Sequence, residues 1–399
     1  MTRFSDATRH QKLAVLIGAA VLLCILPFVV QMAGNAWVRI IDIALLYVLL
    51  ALGLNIVVGY AGLLDLGYVA FYAVGAYMLG LLASPQLTDT FASFKDAIPG
   101  GLHTPWWVVI PLGALVAAGA GVLLGAPTLK LRGDYLAIVT LGFGEIVRVF
   151  LNNLDAPVNI TNGPKGIAAI DEISIFGFSL GKTQHFFGLE WPKVTNYYFL
   201  FLLLVIFAVV ICHRLERSRI GRAWMAIRED EVAAKAMGIN TRNMKLLAFA
   251  MGASFGGVSG AMFASFQGFV SPESFSLMES VMIVSMVVLG GIGHLPGVIL
   301  GAVLLAALPE VLRYVAAPLQ SMTGGRLDAS ILRQLFIALA MIIIMLVRPR
   351  GLWPSPDHGK SLARRGTQPA SGMPAAAPGI ETPADEVPGA ASRPMSINP

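Results

Sequence analysis

The chain has 399 residues, of which 56% are hydrophobic and only 13% are charged. Soluble proteins have about a quarter of their residues charged, so this composition excludes a soluble globular protein. The formal net charge of +5 comes from Lys and Arg residues that concentrate in short loops, a pattern that orients membrane proteins and does not indicate nucleic-acid binding.

Apolar stretches of the length that crosses a bilayer recur from the N-terminus to residue 347. A membrane-spanning helix needs about 20 predominantly apolar residues. We therefore predict an all-α, polytopic membrane protein with about ten transmembrane helices. Seven spans are uninterrupted, one crosses 59–83 and two share 277–313; the seven are 13–32, 37–58, 106–126, 134–151, 197–213, 245–270 and 330–347.

The basic loops predict the orientation of these spans. Lys and Arg cluster before residue 13, in the turn 127–133, in the loop 214–245 and after residue 347. The positive-inside rule places all four segments in the cytoplasm, which requires an even number of crossings. The predicted organisation is a cytoplasmic N-terminus at 1–12, a transmembrane domain at 13–347 with an outward loop at 152–196 and a cytoplasmic loop at 214–245, and a disordered cytoplasmic tail at 348–399.

Charged residues within the predicted spans are candidates for function, because a charge in the bilayer is costly. Two pairs have the i,i+3 spacing of helical neighbours and could bond to each other, namely Arg39 with Asp42 and Glu145 with Arg148. Structural pairing accounts for these better than substrate binding does. Asp65, in a glycine-rich break of the chain, is the stronger functional candidate.

The cytoplasmic loop carries a helix-turn-helix pattern between residues 219 and 238. The sequence predicts a short helix, a polar turn at Glu229-Asp230, and a second short helix closed by Gly238, since glycine adopts the left-handed conformation that ends many helices. An apolar face would make this element a docking site for a partner protein. The predicted apolar positions are Trp224, Ile227, Val232, Ala233 and Met237.

Glycine residues follow two patterns. Gly252, Gly256 and Gly260 recur every four residues, a spacing that lets helices pack closely in lipid. The clusters at 59–67 and 290–297 instead interrupt their spans, and irregular backbone at membrane depth must be buried in protein or line a watery cavity. They predict a translocation pathway, with helix packing as the open alternative, at Gly59, Gly62, Asp65, Gly67, Gly290, Gly291, Gly293 and Pro296.

The motifs resemble a known transporter family. Val232-Ala233-Ala234-x-x-x-Gly238 resembles the EAA-type loop through which ABC-importer permeases contact their ATPase, with Val232 where the pattern has Glu. Over roughly residues 40–350 the chain is similar to the high-affinity branched-chain amino-acid permease family of the LivM type. The further motifs are Arg219-x-Gly221-Arg222-Ala223-x-x-Ala226-Ile227-Arg228-x-Asp230, Gly133-Asp134-Tyr135-Leu136-Ala137-Ile138-Val139-Thr140-Leu141, Thr161-Asn162-Gly163-Pro164-x-Gly166-Ile167, Gly290-Gly291-Ile292-Gly293 and Pro296-Gly297.

The resemblance implies a type II-like ABC-importer permease of the bacterial inner membrane, forming half of a pathway for leucine, isoleucine and valine. It implies a second related permease, two ABC ATPase subunits and a periplasmic amino-acid-binding protein as partners. No enzymatic activity, metal or cofactor is expected in this chain, and ATP would be bound by the partners. The implied ATPase-coupling residues are Gly221, Arg222, Ala223, Arg228, Glu229, Asp230, Ala233, Ala234 and Gly238.

The absence of a phosphate-binding loop supports an external source of energy. The nearest match to GxxxxGK[ST] ends at Thr183, has Phe at position 176 where glycine is required, and lies in the outward loop.

Two alternative functions stay open. One is an ABC permease for urea, short amides or other amino acids; the other is an ion-coupled transporter or a channel working alone, for which the element at 219–238 would have no purpose.

Overall fold

A computed structural model describes residues 9–32, 34–91, 102–129, 131, 133–175, 178–186 and 189–322, with residues 335, 338–339, 342–343, 346–347 and 351–353. The chain divides into Met1–Ser355, to which these residues belong, and Pro356–Pro399. The predicted disordered tail lies outside the described residues except at 351–353, and so do residues 1–8 of the predicted N-terminus.

The described part of the chain is mainly helical, which confirms the predicted fold class. A π-helical turn, Asn55–Tyr60, continues α2. The helices are α1 Arg9–Gln31, α2 Asn35–Leu54, α3 Val69–Leu82, α4 Gln86–Thr90, α5 Trp106–Thr128, α6 Asp134–Asn152, α7 Lys193–Glu216, α8 Arg219–Glu229, α9 Glu231–Ala236, α10 Thr241–Gln267, α11 Leu277–Gly290 and α12 Leu295–Met322.

The helices are consistent with the predicted spans. Five described helices have the length and hydropathy of a membrane span, and three shorter apolar helices accompany them. The stretch 277–313 holds two helices, α11 and α12, as predicted. The last predicted span, 330–347, is described at scattered positions only, all of them helical. The count of ten therefore stays a prediction.

The core is built around α10, which packs on α2, α3 and α5. A Cβ atom added to Gly260 would overlap the carbonyl oxygen of Tyr72 on α3, and one added to Gly257 would lie 2.7 Å from Ala117 Cβ on α5. The predicted packing role of the glycine repeat is confirmed, because only residues without a side chain let these backbones approach so closely.

The loop between α6 and α7 contains short antiparallel strands. β1 (Ile167–Ala168) pairs in antiparallel fashion with β6 (Phe269–Val270), directly after α10. The hairpins β2 (Ser174–Ile175) with β3 (Phe178–Ser179) and β4 (Gln184–Phe186) with β5 (Leu189–Trp191) follow in the chain. The β1–β6 pair holds this loop against the C-terminal end of α10.

The two predicted ion pairs differ in outcome. Arg148 Nε donates a hydrogen bond of 2.9 Å to Glu145 Oε1, so that pair is confirmed. The pairing of Arg39 with Asp42 is wrong, because Arg39 Nη2 donates to Gln267 Oε1 at 2.6 Å. Both carboxylate oxygens of Asp42 are buried without a hydrogen-bond partner in the described part of the chain.

Candidate functional site

The helices α8 and α9 form the predicted helix-turn-helix. Asp230 ends α8 and caps α9, because its Oδ1 accepts hydrogen bonds from the backbone N–H groups of Val232 (2.8 Å) and Ala233 (3.1 Å). Side-chain capping of this kind satisfies amide groups that the first turn of a helix leaves free. Gly238 ends the element with a φ of +84°, the left-handed region that favours glycine.

The corner between α7 and α8 depends on Gly221. The hydroxyl of Ser218 caps α8 by accepting from Gly221 N at 3.1 Å. A Cβ atom at Gly221 would overlap the carbonyl oxygen of Leu215 and lie 2.8 Å from that of Glu216. Gly221 therefore faces the chain's own α7 and is buried there.

The inner side of α8 and α9 is anchored on α10. The indole of Trp224 is fully buried, and its Nε1 donates a hydrogen bond of 2.7 Å to Met244 O. Lys245 Nζ lies 2.7 Å from Glu231 Oε1, and the lysine side chain is only 8% exposed. Ala234 is buried as well. The element is thus tied to the first turns of α10 at several points.

The outer side of the same helices is exposed and partly apolar. Val232 is 69% and Met237 is 84% exposed. The predicted apolar positions therefore do not share one face, because Trp224 and Ile227 are buried inside the bundle. We call the exposed side the outer face; it comprises Arg222, Met225, Glu229, Asp230, Val232, Ala233, Lys235, Ala236, Met237 and Gly238.

The two glycine-rich breaks meet each other beneath α8. Arg228 Nη1 donates a hydrogen bond of 2.5 Å to Gly59 O, and a Cβ atom at Gly62 would lie 2.8 Å from Arg228 Cγ. Gly293 N donates to Asn55 Oδ1 at 2.9 Å. We call these five residues the junction. It joins the end of α2, the α11–α12 turn and α8, which are far apart in sequence.

The segment 61–67 runs through the protein without helical structure. Leu66 N donates to Thr140 Oγ1 at 3.0 Å, Ser280 Oγ donates to Leu66 O, and Gly67 N donates to Asp65 Oδ1 at 2.9 Å. Protein groups thus satisfy the irregular backbone, as membrane depth requires. Asp65 is buried, and its Oδ2 has no hydrogen-bond partner among the described residues.

The cavity beside Asp65 is small. Its lining includes Thr140 and Phe143 of α6 and Phe249 of α10, and its volume is about 10 Å³. That is the room of about one water molecule. In this conformation the cavity therefore cannot hold an amino acid.

Comparison with known proteins decides the family. Residues 37–346 match the family model described as "Branched-chain amino acid transport system / permease component". The chain belongs to this permease family. It is a transport component and not an enzyme, as predicted.

The permease is similar to several curated proteins. It is 41% identical over 360 residues to the high-affinity branched-chain amino acid transport system permease protein LivM of Escherichia coli (strain K12), covering 87% of this chain and 76% of that protein. It is 26% identical over 328 residues to a probable LivM permease of Methanocaldococcus jannaschii, covering 77% and 90%. It is 25% identical over 320 residues to LivH of Escherichia coli (strain K12), covering 79% and 93%. No solved structure gave a significant match.

The residues that the sequence assigned to ATPase coupling occupy different positions in the permease. Arg222, Glu229, Asp230, Ala233 and Gly238 lie on the outer face. Ala223 is partly buried, Gly221 and Ala234 are buried, and Arg228 reaches into the junction. The coupling role of each residue stays a prediction, and of these nine residues the five on the outer face are the exposed ones.

The residues that the sequence assigned to a translocation pathway also lie in different parts of the permease. Gly59, Gly62 and Gly293 belong to the junction. Asp65 and Gly67 lie in the segment 61–67, which begins beside Gly62 and leads away from the junction. A Cβ atom at Gly290 would overlap Gly297 O, so Gly290 brings α11 and α12 together. Gly291 follows α11 with a φ of +121°, and Pro296 is exposed in the first turn of α12.

Sequence reasoning missed Asn55. It is buried, and it links the π-helical turn to the α11–α12 turn. The signal was available, because Asn55 is a single polar residue inside the apolar run Leu52-Gly53-Leu54-Asn55-Ile56-Val57. Polar side chains within membrane helices commonly bond across to a neighbouring helix.

Proposed function

We propose that this permease is the LivM-like subunit of an ABC importer that carries leucine, isoleucine and valine into the cell. It would lie in the bacterial inner membrane with both termini in the cytoplasm. Its family and its 41% identity to a LivM protein support this assignment. The similarity to LivH supports a second, related permease as the other half of the pathway.

The outer face of α8 and α9 is the proposed contact with an ABC ATPase. The observation that carries this proposal is the exposure of Val232, on the short helix α9, and of Met237, which directly follows it; charged residues flank both. With six residues, α9 is about 9 Å long and cannot cross a bilayer. Contiguous exposed apolar surface marks sites of interaction with other proteins, and we take Val232 and Met237 to be part of such a surface.

The cytoplasmic position proposed for α8 and α9 also predicts where the other partners bind. If α8 and α9 face the cytoplasm, the loop 152–196 with its hairpins faces the periplasm and is a candidate surface for the amino-acid-binding protein. Two ATPase subunits would serve the two permeases. Substrate specificity would rest largely with the binding protein, which accords with the small size of the cavity beside Asp65.

The anchoring of α8 and α9 suggests how the permease responds to the ATPases. Movement of the outer face would be passed to α10 through the Trp224–Met244 hydrogen bond and the Glu231–Lys245 ion pair. Since α10 packs on α2, α3 and α5, its displacement would tilt the core of the bundle. Alternating access then requires no ATP site within this chain.

Copurification tests the docking surface directly. Val232→Asp and Met237→Asp place charge on the outer face without touching the bundle, and we expect each to lower recovery of the ATPases with the permease. Val158→Asp is the matched control, because Val158 is also exposed but lies in the loop between α6 and α7. Gly221 and Ala234 are unsuitable, since substitutions there disturb the permease itself. Unchanged ATPase recovery with both outer-face variants would show that the surface is wrong.

A further inference from the structure

Arg228 belongs to α8 but does not contribute to the outer face. Its guanidinium donates to Gly59 O, and the same Nη1 atom would lie 2.9 Å from a Cβ atom added to Gly293. The aliphatic part of its side chain packs against Gly62. One side chain therefore touches both glycine-rich breaks. Gly293 has a φ of +81° and no side chain, and both properties leave room for the guanidinium.

The acceptor of the Arg228 hydrogen bond lies at a helix end. Gly59 is in the π-helical turn Asn55–Tyr60 that finishes α2. The last carbonyl groups of a helix lack partners within it and carry partial negative charge, so a guanidinium stabilises them. A π-helical turn is a rare conformation and is frequent at functional sites. Arg228 therefore holds an unusual turn in place from outside the helix.

Several buried polar groups near this turn lack a hydrogen-bond partner among the described residues. The side-chain amide of Asn55, the hydroxyl of Tyr60 and Nδ1 of His294 are buried without a hydrogen-bond partner in the part of the chain that the structure describes. Buried polar groups are nearly always paired in stable arrangements. These three residues lie on the π-helical turn and the α11–α12 turn, the elements that Arg228 contacts. Unpaired groups at this place are consistent with a second arrangement in which they find partners.

We infer that Arg228 is the residue that transmits movement of α8 to the ends of α2 and α11. This inference rests on the proposed function, because the partner ATPases must move α8. When α8 is displaced, the hydrogen bond from Arg228 to Gly59 O breaks. The π-helical turn is then free to rearrange. The α11–α12 turn can rearrange with it, because Asn55 joins the two turns. Arg228 is thus a positioning residue that acts inside the permease and not at the ATPase surface.

The test uses the complete importer in vesicles: this permease, its partner permease, the ATPases and the binding protein. Labelled leucine uptake and ATP hydrolysis are measured in the same preparation, and their ratio is compared. Arg228→Ala should assemble normally but lower the leucine taken up per ATP by about tenfold, a typical size for coupling between sites. Arg228→Lys should restore part of the ratio, because lysine keeps the positive charge and hydrogen-bond donors but lacks the planar guanidinium.

Arg219→Ala is the matched control. Arg219 is an exposed arginine at the first position of the same helix, and it belongs neither to the outer face nor to the junction. It should leave the ratio of uptake to hydrolysis unchanged. Three results would overturn the inference: an unchanged ratio in Arg228→Ala, a parallel fall of uptake and hydrolysis, or loss of the ATPases from the purified complex. A wild-type importer that hydrolyses ATP without leucine uptake would instead overturn the proposed function.

Discussion

The indole Nε1 of Trp224 donates a hydrogen bond of 2.7 Å to the carbonyl oxygen of Met244, which joins the middle of α8 to the first turns of α10. Trp224→Phe keeps most of the packing and removes this bond, so we expect a loss of about 1 kcal/mol in the free energy of unfolding. Trp224→Ala leaves a cavity as well, and we expect a loss of about 4 kcal/mol. Unfolding of the purified permease in detergent measures both. Equal stability of Trp224→Ala and the wild type would contradict the anchoring role.

The ion pair between Glu231 and Lys245 provides a second prediction. Glu231→Gln leaves the nearly buried Lys245 ammonium without its carboxylate, and we expect a loss of about 2 kcal/mol, moderated by the partial exposure of Glu231. Changing both residues to leucine removes the unpaired charge and should recover much of the stability. Glu229→Gln, at an exposed position of α8, is the control. A single Glu231→Gln variant as stable as this control would show that the pair is unimportant.

Close packing between α10 and α3 predicts a sharp difference between two glycines. Gly260→Ala forces a Cβ atom against Tyr72 O, so the helices must separate, and we expect a loss of about 2 kcal/mol. Gly119→Ala is the control, because a Cβ atom there meets nothing within 4 Å. Alanine is the better helix former, so this control should be neutral or slightly stabilising. Thermal unfolding of the two variants side by side distinguishes them.

Substitution can separate the structural contact of Asp65 from its predicted role in transport. Asp65→Asn keeps the side-chain oxygen that accepts from Gly67 N, so the segment 61–67 and the assembly of the importer should be preserved. Asp65→Ala removes this acceptor and should lower the yield of folded permease. If the negative charge serves transport, leucine uptake falls in the asparagine variant at unchanged assembly. Uptake at the wild-type level in that variant would restrict Asp65 to its structural role.

Local patterns in the sequence predicted the elements well. The charged turn between two short helices at 219–238 and the Glu145–Arg148 pair follow from contacts within about one helical turn. The glycine repeat of α10 was recognisable because small residues recur at four-residue spacing. The two helices within 277–313 were predictable because glycine and proline separate two apolar runs. Such features depend on residues that are neighbours in the chain.

Contacts between distant parts of the chain were not predictable. Arg39 has Asp42 at helical spacing but bonds to Gln267 of α10. The apolar residues of α8 and α9 could equally meet a partner or the permease itself, and periodicity cannot say which side Trp224 or Val232 faces. Nothing in a single sequence shows that Arg228 reaches Gly59, 169 residues earlier. The junction therefore required a three-dimensional structure.

The central claim is that this permease transports only when partner ATPases drive it. Its most direct test is leucine accumulation in vesicles that contain ATP and carry either the full set of importer subunits or this permease alone. The account predicts accumulation against a gradient with the full set, and none when the ATPases are omitted. Accumulation of leucine against its gradient by this permease alone would contradict it.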